Sequence, residues 1–299
     1  MPARHRLPRL PRSRVTLRHY ALVSAPAFAA SRVLDRLVRP RVYLGDHTLM
    51  TRTVFGHVLY LDTRDDSLLP ALVLRGVWEP NVTRVLLRLL RPGMRVVEVG
   101  ANVGYYTVLA GSCVGPSGSV IAFEANPDIA ARLRRAVIVN GYQWWTRVVA
   151  SAVADRDGRA TLHRLARQHG SSSLFSRGSA YLEGFAEESR PLDVPVTTLD
   201  AFLGPDPAPV DLLKIDAEGA EPLILDGMRG LLERTPHLRA VIEFTPSLIA
   251  NAGRDAGAFL DTISSLGFHI DVIDPRGGLR TTTPARLLAA ESSELLLSR

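Results

Sequence analysis

The sequence predicts an α/β fold built on one doubly wound, mostly parallel sheet with helices on both faces. From residue 95 onward, short apolar runs alternate with helical segments, and this alternation is typical of right-handed crossovers between parallel strands. The strand-like runs are almost continuously apolar, as expected for strands that are covered on both faces. The chain has 299 residues, 46% of them hydrophobic, which is enough for one large domain of this kind.

Seven strands are expected in this sheet. They lie at 95–100, 119–124, 147–153, 210–216, 238–244, 268–273 and 295–297. Helices are expected at 105–113, 127–140, 220–234 and 256–266. The helix at 127–140 has the clearest boundaries, because Asn126 can act as its N-cap, Pro127 fits the first turn and Gly141 stops it.

The remaining segments suggest three additions to the sheet. Residues 1–40 form a basic leader that we expect to be partly disordered or helical, and residues 41–75 carry short β-like runs that predict a small β extension. The main domain is then expected at 76–299. Within it, residues at about 155–199 interrupt the alternation and predict an inserted hairpin or lid.

Composition limits the classes of function. The net charge is +6 and all but one of the 36 basic residues are arginine, with many in the leader, so the charge is weak support for an RNA or membrane partner. No apolar run reaches the length of about 20 residues that spans a bilayer, so no transmembrane segment is expected. Cys113 is the only cysteine, which excludes intrachain disulfides and cysteine-based metal sites and fits a cytoplasmic protein.

A glycine turn follows the first strand of the predicted sheet. Gly100 and Gly104 allow a tight turn and close approach of a ligand to the backbone, at the strand end where open parallel sheets bind ligands. The turn lacks the G-x-G-x-x-G spacing of dinucleotide sites. A ligand with a carboxylate and no phosphate fits better, and S-adenosylmethionine, which leaves as S-adenosylhomocysteine, is such a ligand.

An acid at the end of the next strand supports a nucleoside ligand. Glu124 lies 20 residues after Gly104, and an acid at this point can accept hydrogen bonds from two ribose hydroxyls. Glu79 could reach the amino group of S-adenosylmethionine, and Tyr105 or Tyr106 is expected to line the pocket for this ligand. The predicted cofactor-binding residues are Glu98, Gly100, Ala101, Asn102, Gly104, Tyr105, Glu124, Ala125, Asn126, Ser151, Ala152 and Asp216.

Five sequence segments together resemble the FkbM family of methyltransferases. They read VVEVGANVGYYT, VIAFEANP, a helix ending in VNG, VTTLD and LLKIDAEGAEPLILDGM, within about residues 76–245. The family usually has Asp at the position of Glu98 and often Pro at that of Ala125. The resemblance implies a Rossmann-like class I methyltransferase fold, S-adenosylmethionine binding and O-methylation of hydroxyls on sugars, lipids or small natural products.

Acidic residues after the fourth and fifth strands are the candidates for catalysis. Asp216 ends the fourth strand and is expected to be the base or an orienting group. Glu218 is expected to bind the substrate or the amino group of the methyl donor, and Glu243 is a second candidate for acid/base catalysis or for binding the substrate hydroxyl. Glu221 is interpreted as a helix-start residue. Lys214 is expected either to pair with Glu243 or to keep its amino group in water.

Several alternatives stay open at this stage. No metal site is predicted, although Asp216, Glu218 and Glu243 could hold Mg²⁺ through oxygen ligands. His163 or His169 in the insertion could act as a base. The rival functions are an RNA methyltransferase, disfavoured by the acidic segment after the fourth strand, and a non-catalytic assembly module. The expected acceptor is therefore a small molecule or a glycan, without nucleic acid, and the sequence does not indicate an oligomeric state.

Overall fold

The computed structural model describes residues 40–205 and 208–299. The leader at 1–40 therefore lies outside the described residues, except for Pro40. Among the helices of the described residues, none is both long enough and apolar enough to cross a membrane.

Fourteen strands are present in the described residues. They are β1 Val42–Tyr43, β2 Thr48–Arg52, β3 Val58–Asp62, β4 Arg95–Val99, β5 Ser119–Phe123, β6 Thr146–Val149, β7 Ala152–Val153, β8 Gly158–Leu165, β9 Ser189–Thr197, β10 Leu212–Ile215, β11 Arg239–Phe244, β12 His269–Ile273, β13 Leu279–Thr281 and β14 Ser293–Ser298.

Eleven α-helices are present in the same residues, together with one 3₁₀ turn at His169–Ser171. The helices are α1 Leu69–Leu74, α2 Pro80–Leu89, α3 Tyr105–Val114, α4 Pro127–Val139, α5 Ser179–Gly184, α6 Leu199–Leu203, α7 Glu221–Asp226, α8 Arg229–Arg234, α9 Pro246–Asn251, α10 Ala256–Ser265 and α11 Pro284–Leu288.

The central sheet confirms the predicted α/β class. Its order is β13-β12-β14-β11-β10-β4-β5-β6, and the five strands from β11 to β6 run parallel to one another. Val96 and Val97 are neighbours in β4, yet they belong to two different clusters of buried side chains, because successive side chains point to opposite faces. Both faces of the sheet are therefore covered, and the parallel strands all end at one edge.

The expected count of seven strands is wrong by one. The eighth strand is β13, which pairs antiparallel with β12 at the sheet edge through three residue pairs. A strand of three exposed residues has no apolar pattern, so the hydrophobic alternation that predicted the other strands could not reveal it.

Two other predicted elements are divided. The strand expected at 147–153 ends at Val149, and the chain then turns into β7, which pairs with β9 in a separate three-stranded sheet with β8. The helix expected at 220–234 splits into α7 and α8 around Gly227. A Cβ at Gly227 would lie 2.0 Å from the carbonyl oxygen of Ala154, so the backbone at this break packs directly against another segment.

The additions to the central sheet occupy two regions. Strands β1, β2 and β3 form an antiparallel sheet of their own. Strands β8 and β9 pair antiparallel over eight residue pairs, and the 3₁₀ turn and α5 lie in the segment between them. This segment carries the loop that covers the carboxyl ends of the parallel strands.

Candidate functional site

A cavity at the carboxyl ends of β4, β5, β10 and β11 contains most of the predicted site residues. Its floor is the turn after β4, and its roof is the loop of the insertion that includes the 3₁₀ turn. Most of the predicted cofactor residues line it: Glu98, Gly100, Ala101, Asn102, Tyr105, Glu124, Ala125, Ser151, Ala152 and Asp216. The position agrees with the rule that open α/β sheets bind ligands beyond the carboxyl ends of their strands.

The turn after β4 fits against the end of β10. Gly100 has φ +80°, and a Cβ there would lie 1.7 Å from the carbonyl oxygen of Asp216, so no other residue fits without moving one of the two strands. Asn102 also has a positive φ, of 49°, and its Oδ1 accepts a hydrogen bond from the N–H of Val103 at 2.7 Å. The glycine therefore brings the turn and Asp216 together in one site.

Two predicted cofactor residues do not line the cavity. Gly104 packs under α4, where a Cβ would lie 2.0 Å from Cδ1 of Leu133. Asn126 is the N-cap of α4, as predicted, and its Oδ1 accepts from the N–H of Asp128 at 3.1 Å. Gly104 thus permits helix packing and Asn126 starts a helix, and cofactor contact by these two residues stays a prediction.

Glu124 is held by two backbone donors. Its Oε2 accepts from the N–H of Asn102 and its Oε1 from the N–H of Asn126, both at 2.8 Å. Burial raises the pKa of Glu124 to about 7, since desolvation disfavours the charged form. Each carboxylate oxygen keeps a second lone pair, so the group can still accept hydrogen bonds from a ligand in the cavity.

Glu98 lies deeper than Glu124. It is 2% exposed, and its Oε2 accepts from Oγ1 of Thr107 at 2.6 Å. Burial raises its pKa to about 7. The carboxyl group is therefore fixed at the cavity floor, where its charge depends on what occupies the cavity.

Lys214 follows neither of the two alternatives, an ion pair with Glu243 or an amino group in water. Its Nζ lies 2.9 Å from Oδ2 of Asp216 and 4.8 Å from the ring centroid of Tyr106, with the side chain 6% exposed. It is thus neither paired with Glu243 nor in water. Burial alone would lower the pKa of Lys214, but nearby carboxylates, first Asp216 and then Glu79, raise it above its usual value.

Both tyrosines at the start of α3 line the cavity, where one had been expected. The hydroxyl of Tyr106 donates to Oε2 of Glu79 at 2.7 Å, and that of Tyr105 lies 3.2 Å from Oγ1 of Thr83. Glu79 is in the left-handed region at φ 36°, and burial raises its pKa. This fixed carboxyl group faces the same space as the turn and Asp216.

Three carboxyl groups form a cluster in the cavity, near the ends of β10 and β11. Asp216, Glu218 and Glu243 each offer an oxygen within 4.8 Å of the others. Burial and the negative charge of Asp216 raise the pKa of Glu218 to about 7 and that of Glu243 to about 10. These shifts favour the protonated form of Glu243, which can donate a hydrogen bond, and bring the pKa of Glu218 near neutral pH. These three are also the residues that could hold a divalent cation.

An ion pair from the insertion holds Glu218, and sequence reasoning missed it. Nη2 of Arg177 lies 2.5 Å from Oε2 of Glu218, and the arginine side chain is 6% exposed. Oγ of Ser173 donates to the carbonyl oxygen of Glu218 at 2.8 Å, and Glu218 itself has φ +54°. Nothing in the local sequence separates Arg177 from the other arginines of the insertion, since the contact spans 41 positions.

The other candidates fall into two groups. Glu221 starts α7, as predicted, and its carboxylate accepts from the N–H groups of Ala217 at 2.9 Å and Gly219 at 3.0 Å. His169 lines the cavity, whereas His163 pairs within the β8–β9 sheet and is not among the lining residues.

Comparison with known proteins supports a methyltransferase. The family model described as "Methyltransferase FkbM domain" matches residues 98–270. A protein-L-isoaspartate O-methyltransferase from Methanopyrus kandleri is 34% identical over 94 residues, which are 29% of this chain and 42% of that protein. The ribosomal RNA large subunit methyltransferase E of Sorangium cellulosum is 38% identical over 55 residues, which are 18% of this chain and 26% of that protein. The chain thus spans less than half the length of these relatives.

Solved structures are similar at low sequence identity. An S-adenosylmethionine-dependent O-methyltransferase from Thermotoga maritima aligns with a TM-score of 0.43 at 14% identity, covering 87% of this chain and 85% of that one. The O-methyltransferase TomG from Streptomyces achromogenes aligns with a TM-score of 0.39 at 16% identity, covering 74% and 79%.

Proposed function

This chain belongs to the FkbM methyltransferase family, and from that premise we propose that it is an S-adenosylmethionine-dependent enzyme that methylates a hydroxyl of a sugar, a glycan or a small natural product. The observation that carries this proposal is the cluster of Asp216, Glu218 and Glu243. Carboxyl groups in mixed protonation states can both accept from and donate to neutral hydroxyls.

The proposed donor site is the part of the cavity around the turn after β4. Glu124 accepts hydrogen bonds from the ribose hydroxyls, Ser151 and Ala152 border the base, and Glu79 lies on the side of the donor's amino group. The support is that Glu124 is already fixed by two backbone donors, so it needs little reorganisation to bind a ribose.

The proposed reaction is an in-line displacement. The acceptor oxygen forms a bond to the methyl carbon, the carbon–sulfur bond breaks, and its electron pair stays on the sulfur of S-adenosylhomocysteine. The proton of the hydroxyl passes to the carboxylate of Glu218. Asp216, fixed by Lys214 at 2.9 Å, orients the acceptor, and protonated Glu243 donates a hydrogen bond to a second acceptor oxygen.

The charges around the carboxyl cluster, where the acceptor is proposed to bind, support a neutral acceptor group over a nucleic acid and need no metal. Lys214 is paired with Asp216 and Arg177 with Glu218, so neither cation is free to bind a phosphodiester next to the reacting atom. A divalent ion is therefore not required to neutralise the cluster.

Two measurements test the proposal. Calorimetric titration with S-adenosylhomocysteine should give about tenfold weaker binding to Glu124→Gln than to the wild type, because a charge-assisted hydrogen bond is lost. Glu233→Gln, an exposed carboxylate on α8, is the matched control. Labelled donor should then transfer its methyl group to members of a panel of glycans and glycosylated natural products. Transfer into RNA alone, or no donor binding, would refute the proposal.

A further inference from the structure

A groove beside the donor cavity is lined by five arginines and three aspartates and has a volume of about 900 Å³. It lies between α4, the end of β3 and the start of the insertion loop. The arginines are Arg64, Arg132, Arg164, Arg167 and Arg190. The groove therefore presents more cationic than anionic side chains, and it is separate from the acidic cluster of the cavity.

Each of the five arginines has a carboxylate partner, and four carboxylates serve all five. Arg167 pairs with Asp66 at 2.5 Å and Arg190 with Glu188 at 2.8 Å, both at the surface. Asp62 serves two of them, Arg64 at 2.7 Å and Arg132 at 2.9 Å. Although burial alone would raise it, the hydrogen bonds from Arg64 and the charge of Arg132 hold the pKa of Asp62 well below its usual range. Arg164 reaches Asp128 at 3.4 Å, where the aspartate is 76% exposed, and such surface pairs are weak.

Two guanidinium nitrogens in the groove have no partner among the described residues. The Nε atoms of Arg132 and Arg164 are both buried and form no hydrogen bond. Most buried donors in proteins are satisfied, and an unsatisfied one is costly. Arg132 and Arg164 thus each keep a donor that the described residues do not use, on two elements beside the same groove.

The groove and the cavity share a wall. His169 lines both of them, and the wall is fixed by hydrogen bonds from the N–H of Asp66 to the carbonyl oxygen of Arg167 at 2.6 Å and from the N–H of Gly170 to Oγ of Ser67 at 3.3 Å. A ligand that extends over His169 would therefore contact the acidic cavity and the arginine groove at once.

We propose that the arginine groove binds an oxyanionic group, a phosphate, sulfate or carboxylate, on the acceptor whose hydroxyl enters the cavity. The planar guanidinium fork matches the geometry of these anions. Because the two cations beside the carboxyl cluster are already paired with carboxylates, the groove offers the better site for such an anion, and its place beside the cavity fixes which end of the acceptor reaches the donor. This acceptor class rests on the proposed function, whereas anion binding by the groove does not.

The groove is tested first with inorganic phosphate, titrated calorimetrically at constant ionic strength without donor or acceptor. Arg164→Gln should weaken binding about tenfold, the loss expected for one charge-assisted hydrogen bond. Arg156→Gln is the control, since Arg156 is 83% exposed, pairs with Asp155 and lies outside the groove. Arg132→Gln should act as Arg164→Gln does, but its folding must be checked because Arg132 neutralises buried Asp62. No phosphate binding, or equal binding by Arg164→Gln and Arg156→Gln, overturns the site.

A comparison of matched neutral and charged acceptors then identifies which anionic group the groove binds. Labelled methyl transfer is compared between neutral glycosides and their phosphorylated, sulfated and uronic acid counterparts. One charged series should show a lower KM than the neutral one, and Arg164→Gln should remove the difference, whereas Arg156→Gln should keep it. Equal KM values, or transfer only into RNA, overturn the acceptor class. Phosphate binding without any methyl transfer would instead refute the proposed function and leave the groove supported.

Discussion

Replacing Arg177 with methionine tests whether Glu218 acts as the proton acceptor. Arg177 is the cation nearest to Glu218, at 2.5 Å, and comes from the insertion loop. Methionine keeps much of the volume of the side chain and removes its charge and donors. The carboxyl group of Glu218 then faces Asp216, Glu221 and Glu243 with no arginine beside it, so its pKa must rise.

The size of the rise follows from the lost contact. A hydrogen bond to a charged group contributes about 1.5–3 kcal/mol, and one pKa unit corresponds to about 1.4 kcal/mol. The pKa of Glu218, about 7 with Arg177 in place, should therefore increase by about one to two units. The ionised fraction at neutral pH would fall from about one half to between about one in ten and one in a hundred.

The assay is the pH dependence of kcat/KM for methyl transfer. The acid limb should move to higher pH in Arg177→Met and stay near its original position in Arg177→Lys, which keeps a positive charge. Arg229 on α8 forms a surface ion pair with Asp226 on α7, so Arg229→Met should leave the pH profile unchanged. A uniform loss of activity at every pH, with the acid limb in place, would refute the role of Glu218 and assign Arg177 a purely structural function.

Three further outcomes are expected. The pKa of Glu98 is raised from 4.5 to about 7, so its contribution to stability is complete below pH 4.5 and is lost as the pH rises through 7. Glu98→Gln should therefore remove up to about 3 kcal/mol of the change in unfolding free energy over this pH range, measured by urea unfolding. An unchanged pH dependence would contradict this expectation. Gly100→Ala should abolish donor binding in calorimetry, because the added Cβ would overlap the carbonyl oxygen of Asp216. Gly141→Ala should leave donor binding intact, because Gly141 has the same φ of +80° but an added Cβ there would have no atom within 4 Å. Dialysis against EDTA should preserve methyl transfer, and activity restored only by Mg²⁺ would refute the metal-free site.

The sequence predicted the parts of the fold that depend on local patterns. The apolar runs gave the seven main strands, and Asn126 was identified as the N-cap of α4 because its side chain bonds a residue two positions away. The ends of the second and fourth strands located Glu124 and Asp216, since parallel strands end at one edge. These features need no knowledge of distant contacts.

The parts that the sequence did not predict depend on contacts between distant segments. After Val149 the chain leaves the central sheet and pairs with β9, where Oγ of Ser151 donates to the carbonyl oxygen of Pro195, at 3.0 Å and 44 positions away. The break at Gly227 reflects its packing against Ala154. The partner of Lys214 could have been inferred, because Asp216 is two positions away on the same strand and shares its face.

Binding of S-adenosylmethionine should release protons, because burial in the cavity favours the protonated form of several carboxyl groups. Burial raises the pKa of Glu98 and Glu124 to about 7 and also raises that of Glu79. The sulfonium and amino groups of S-adenosylmethionine are positive, and nearby positive charge lowers carboxyl pKa values. Calorimetry near neutral pH in buffers of different ionisation enthalpy should therefore detect proton release for the donor. S-adenosylhomocysteine has no sulfonium charge and should release fewer protons, and equal release by the two would show that these carboxyl groups do not face the sulfur.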